Sequence, residues 1–285
     1  MREETRTIQA GGLARTVHFQ LPAGRFTGRR PLVIVLHALG ATGAAERARG
    51  RFRSMAAREG AIVAFPDGIE GRWNYGAPIG RSGPVLVKGR RVRDTVLLRR
   101  LARRLVADGR ADPARLYLIG ISNGAMMAYR VACETPGRFA AIAALVSGMT
   151  VSQRSACRPA RPVPLLILGG TADRFHAYAG ARGQRGVLLS VPATVDFWRR
   201  RNRCGGESRH DLADRNREDG STVTVFRHLG CDQGAEVLFY RIDGGGHRLP
   251  GLASALPRYK PPLGWQNGDI DAAEHVWTFF ARHRR

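Results

Sequence analysis

The chain has 285 residues, 44% of them hydrophobic and 24% charged, a composition that excludes a disordered or collagen-like protein. Its formal net charge is +23, from 46 basic and 23 acidic residues, and only Lys88 and Lys260 of the basic ones are lysines. Such an excess raises the prior for polyanion binding, but the arginines are scattered in pairs such as Arg29-Arg30 and Arg103-Arg104. No zinc knuckle, helix-turn-helix or RNA-binding box accompanies them, so no specific nucleic-acid partner is expected.

Arg15 to Leu21 alternates as an edge strand does. Leu32 to Leu36 is a continuous apolar run, as a strand buried on both faces requires, and Ala61 to Phe65 is another. Pro66-Asp67-Gly68 closes the second run as a turn. Glu46 to Arg58 reads as a helix, and Gly68 to Lys88 as a long loop holding Trp73, Asn74 and Tyr75. Asp94 is the expected N-cap of a helix whose apolar residues, Leu97, Leu98, Leu101 and Leu105 among them, recur at helical spacing until Gly109. Strands follow at Leu116 to Ile121, Ala140 to Val146 and Val163 to Leu168, with a helix from Asn123 to Glu134 after the first. A helix over Leu189 to Arg203, strands at Val223 to Phe226 and Glu236 to Ile242, and a closing helix over Ile270 to His283 complete the series. Cys204 to Cys231 reads as an insertion before the last core strand. The longest apolar run, Phe139 to Met149, falls short of the ~18 residues of a membrane span. The start, Met1 to Arg6, shows no apolar stretch of a signal peptide. Strands that are apolar throughout, alternating with helices, predict an α/β fold: a mostly parallel central sheet with helices on both faces. No linker divides the chain, so one domain over 1–285 is expected.

Gly120-Ile121-Ser122-Asn123-Gly124 is a G-x-S-x-G pentapeptide lying between a strand and a helix. That junction suits an exposed nucleophilic serine, because small neighbours let strand and helix pass closely and the helix N-terminus presents a positive dipole end. A serine hydroxyl needs a base, and the base needs an orienting acid. Asp173 falls in a loop after the strand ending at Leu168. His247 follows the last strand through Gly244-Gly245-Gly246, a loop free to fold back toward the serine. His176 and His210 come before the last strand and His37 beside an earlier one, so each reads as a surface or structural histidine. A tetrahedral intermediate needs two backbone donors, for which Asn123 N–H and Leu39 N–H are the candidates. No His-Glu-x-x-His, Cys-x-x-Cys, dinucleotide-binding or Walker motif is present, so neither a metal nor an organic cofactor is expected.

With these residues in place the chain resembles the polyhydroxybutyrate depolymerase family of esterases, with its feruloyl and acetylxylan esterase relatives, over residues 15 to 283. The anchors are Leu36-His37-Ala38, Pro66-Asp67-Gly68 with Trp73-Asn74, Gly120 to Met126, Gly170 to Asp173, and Gly244 to His247. The resemblance implies an α/β-hydrolase with Ser122, Asp173 and His247 as triad, acting on soluble hydroxyalkanoate oligomers or small esters. Feruloyl or acetylxylan ester hydrolysis is the alternative, and a basic polyanion-binding protein on a vestigial site a further one. Trp73, Asn74 and Arg248 are expected to line the substrate pocket. The family shows His-Gly where this chain has His37-Ala38, and Thr-Trp where it has Arg248-Leu249. The resemblance also implies disulfides Cys133–Cys157 and Cys204–Cys231, and with them a secreted or periplasmic protein.

Overall fold

The computed structural model describes residues 1–24, 27–76, 85–183, 186–251 and 259–285. Ten strands form one sheet: β1 (Arg2–Ala10), β2 (Leu13–Leu21), β3 (Arg30–Leu36), β4 (Ile62–Pro66), β5 (Ala111–Ile121), β6 (Ala141–Leu145), β7 (Leu165–Gly170), β8 (Gly206–Asp211), β9 (Thr222–Leu229) and β10 (Val237–Asp243). Their spatial order is β1-β2-β4-β3-β5-β6-β7-β10-β9-β8. The six central strands, β4 through β10 in that order, are mutually parallel. Two antiparallel strands flank them on each side.

Among the described residues seven α-helices accompany the sheet: α1 (Gly43–Ala48), α2 (Arg53–Ala57), α3 (Asp94–Ala107), α4 (Asn123–Glu134), α5 (Val151–Ala156), α6 (Val191–Arg201) and α7 (Ala272–Ala281). Alternate residues of each central strand point to opposite faces, which makes two cores. Leu32, Ile34, Leu118 and Ile167 pack with Leu101 of α3, Met127 of α4 and Trp198 of α6. Val33, Val35, Ile119 and Leu166 pack with Met55 of α2 and Phe279 and Phe280 of α7. This double coverage is why the central strands are apolar throughout.

Several expectations need correction. Arg15 to Leu21 lies inside the sheet, because β1 covers its outer side. β1 carries four charged residues in nine and buries only Ala10, so hydrophobic alternation could not reveal it. Cys204 to Cys231 is no insertion; it holds β8 and the whole of β9, the opposite antiparallel edge, and β8 is exposed at every position. The expected helix over Glu46 to Arg58 is two, α1 and α2, divided at Gly50 with φ +70°. Asp94 does not cap α3: it is the first helical residue, and its carboxylate turns inward to a buried ion pair with Arg15 at 2.8 Å. Among the described residues no helix is long and apolar enough to cross a membrane. Both disulfides, Cys133–Cys157 and Cys204–Cys231, are formed.

Candidate active site

Ser122 stands between β5 and α4 with φ 55° and ψ −113°, a strained conformation for a residue with a Cβ. Packing imposes it. A Cβ on Gly120 would lie 2.2 Å from Gly124 O, and one on Gly124 would lie 2.3 Å from Leu36 O. Only glycines let β3, β5 and α4 approach this closely, and the turn left between them projects the Ser122 side chain from the sheet's C-terminal edge. Its N–H donates to Leu145 O at 2.9 Å, tying the turn to β6.

The other two residues arrive from distant loops. His247 Nε2 lies 2.9 Å from Ser122 Oγ, and His247 Nδ1 lies 2.6 Å from Asp173 Oδ2. With Nδ1–H donating to the carboxylate, Nε2 is left to accept the serine O–H. The other carboxylate oxygen of Asp173, Oδ1, accepts Phe175 N–H and His176 N–H, each at 2.8 Å, which fixes the side chain. The acid and histidine loops interlock: Ala172 N–H donates to Gly245 O, and Gly244 N–H donates to Thr171 Oγ1. A Cβ on Gly170 would lie 2.3 Å from Gly245 O. His247 N–H donates to Leu263 O at 2.7 Å, which anchors its loop on the far side.

These groups open onto a cavity of about 360 Å³. Met126, Val146 and Leu249 give it an apolar wall, and Leu39, Asn123 and Arg248 line it as well. Trp73 and Asn74 do not line this cavity. Trp73 is fully buried behind the loop after β3, where its Nε1–H donates to His37 O and its backbone N–H to Asn123 Oδ1. Asn74 donates its N–H to Asp94 Oδ2 and its side-chain amide to Val92 O, and it faces a neighbouring cleft. The next residue, Tyr75, takes the lining position expected of them.

His37 is fully buried and supports the same loop. Its Nδ1–H donates to Ala38 O at 2.8 Å, and its Nε2 accepts Gly68 N–H at 2.9 Å. Burial pushes its pKa down, outweighing the hydrogen bond to Ala38 and the nearby Asp67 carboxylate. Sequence reasoning missed His176, whose ring stacks on that of His247 at 5.5 Å between centroids and whose Nδ1 meets Ser147 Oγ at 3.1 Å. Its place three residues after Asp173 was the available signal. Glu46, Arg49 and Arg51 were missed too; they reach the cavity because α1 and α2 are separate. Among the described residues no group of three or more His, Cys, Asp or Glu could hold a metal.

A serine on a strained strand-to-helix turn, linked through a histidine to a carboxylate at the C-terminal edge of a parallel sheet, is the arrangement of the α/β-hydrolases, serine ester hydrolases among them. The Esterase family model, described as "Putative esterase", matches residues 9–230, and the chain belongs to that family. It is 27% identical over 242 residues to "Putative esterase NocK" of Nocardia uniformis subsp. tsuyamanensis, covering 81% of this chain and 67% of that protein. It is 29% identical over 244 residues to "Feruloyl esterase B" of Piromyces equi, covering 82% of this chain and 42% of that longer protein. Among solved structures, the acetyl xylan esterase from Aspergillus awamori superposes with a TM-score of 0.58 at 13% identity, over 84% of this chain and 92% of that one, which shows the shared fold.

Proposed function

We propose that the chain, acting as one catalytic domain over 1–285, hydrolyses small soluble carboxylic esters through an acyl-enzyme on Ser122. The observation that carries this reading is the unbroken chain from Ser122 Oγ through His247 to Asp173, with Ser122 held at positive φ. Ser122 Oγ attacks the ester carbonyl carbon as His247 Nε2 takes its proton. Asp173 holds Nδ1–H and stabilises the imidazolium. The oxyanion is received by Leu39 N–H and Asn123 N–H, helped by the N-terminus of α4. The imidazolium then protonates the departing alkoxide. A water molecule deprotonated by His247 attacks the acyl carbon and releases the acid.

Hydroxyalkanoate oligomers are the proposed substrates, on the strength of the motif set from Leu36-His37-Ala38 to Gly246-His247. A second reading, a feruloyl or acetylxylan esterase, is favoured by the likeness to feruloyl esterase B. The two disulfides support an extracytoplasmic location, since such bonds persist in oxidising compartments.

The test is hydrolysis of p-nitrophenyl acetate and butyrate by wild type and Ser122→Ala. Wild type is expected to turn over, and the variant to lose on the order of 10⁴-fold or more in kcat. Equal activity of the two would remove Ser122 from the mechanism. A hydroxybutyrate trimer is then set against methyl ferulate, and faster ferulate turnover would install the second reading.

A further inference from the structure

We infer that the enzyme selects esters carrying a carboxylate near the scissile bond, and that Arg49, Arg51 and Arg248 receive it. The inference rests on the proposed role of Ser122 and names the substrate class of that site. The cavity beside Ser122 is apolar along one wall, but three guanidiniums reach it against one exchangeable carboxylate, Glu46. The Asp173 carboxylate is committed to His247 and two backbone N–H groups.

Glu46 is buried and shared: its Oε2 lies 2.7 Å from Arg49 Nη1, and its Oε1 lies 3.5 Å from Arg51 Nη1. One negative charge therefore serves two cations, and Arg248, directly after His247, lines the same cavity. A guanidinium has five N–H donors in a planar fork, and Glu46 engages one on each of its two arginines. The remaining donors can take a second carboxylate, the ligand this geometry suits best. Glu46 also anchors the pair on the segment joining α1 to α2, so their placement is set before substrate arrives. The same three arginines line the adjoining cleft. There Glu274 is paired with Arg58 at 2.8 Å, and Asp271 is spent capping α7. The path outward thus stays cationic. A hydroxy-acid oligomer has a free carboxylate at its acid end, which makes it one member of the class.

The experiment compares pairs with the same scissile bond and one charge of difference. For charge on the leaving group, 4-acetoxybenzoate is set against 4-acetoxybenzamide; for charge on the acyl group, monomethyl adipate against methyl adipamate. We expect the anionic member of at least one pair to lead by about tenfold in kcat/KM, chiefly through KM, with the lead shrinking as salt is raised. In Arg49→Ala and Arg248→Ala the lead should fall, and in Arg248→Glu it should reverse. Neutral members that match or beat their anionic partners in wild type would overturn the inference while leaving the esterase reading intact. A lead that survives both alanine substitutions would overturn the assignment to these arginines. Failure to hydrolyse any ester, p-nitrophenyl acetate included, would remove the esterase reading and this inference with it.

Discussion

His37 and His247 each sit in a loop that leaves a parallel strand at the same edge of the sheet, one after β3 and the other after β10. Their partners differ. His247 meets two side chains, Ser122 and Asp173, from other loops, and part of its ring reaches the cavity. Among the described residues His37 hydrogen-bonds only to backbone, the Ala38 carbonyl and the Gly68 N–H, packs against the Trp73 ring and is fully buried. A ring whose Nδ1–H faces a carboxylate can gain a proton at Nε2 and be stabilised as an imidazolium. A ring whose Nε2 accepts a backbone N–H must lose that bond to be protonated, and burial further disfavours the charge. The same side chain is therefore suited to proton transfer in one loop and to bracing in the other, and the hydrogen-bond partners decide which.

The strongest way to break this contrast is to remove the carboxylate. Asp173→Asn keeps the shape but offers an amide where His247 Nδ1–H needs an acceptor, which favours the wrong tautomer and strips the imidazolium of its counter-charge. We expect kcat for p-nitrophenyl butyrate to fall on the order of 10⁴-fold, with KM little changed. A loss below tenfold would mean that Asp173 does not orient the base. A milder break leaves all three side chains in place. Gly170→Ala pushes a Cβ to 2.3 Å from Gly245 O, where the acid and histidine loops cross. Overpacking of this kind costs about 1–3 kcal/mol, and separating the loops should lower kcat by about 10²-fold. Urea unfolding and steady-state kinetics on the same preparation check both, and an unchanged variant would show the crossing to be looser than its geometry.

The contrast also marks what could be read in the sequence. Ser122 was legible because the turn that holds it is five consecutive residues between a strand and a helix. Asp173 and His247 were legible by order along the chain, each after a central strand whose apolar run announced it. Trp73 and Asn74 were misplaced because a motif shows that residues belong near a site but not which side of a loop they face. Trp73 stands behind the loop after β3, one layer from the cavity. Arg49 and Arg51 were hidden by the reading of a single helix over Glu46 to Arg58; they stand exposed on either side of the break at Gly50 and border the cavity. The sheet edges were invisible for a different reason: β1 and β8 bury little, so their order comes from backbone pairing with β2 and β9 and leaves almost no hydrophobic pattern.

The smallest expected effect sharpens the other side of the comparison. Because the pKa of His37 is lowered in the folded protein, the unfolded chain binds more protons than the native one as pH falls below the ordinary value of 6.5. Stability therefore rises with pH through that window; it is complete above 6.5 and is lost as pH falls toward the folded pKa, at no more than about 1.4 kcal/mol per pH unit for each proton. His228 and His275, also lowered chiefly by burial, push in the same direction. Urea unfolding of wild type between pH 7.5 and 5 should accordingly show falling stability. His37→Gln, whose amide oxygen can still accept Gly68 N–H, should be less stable than wild type at pH 7.5 yet lose less on acidification, because two lowered histidines remain instead of three. A slope equal to that of wild type would mean that His37 is protonated as readily in the folded protein as in the unfolded chain, and its separation from His247 as a brace whose protonation the fold opposes would fail.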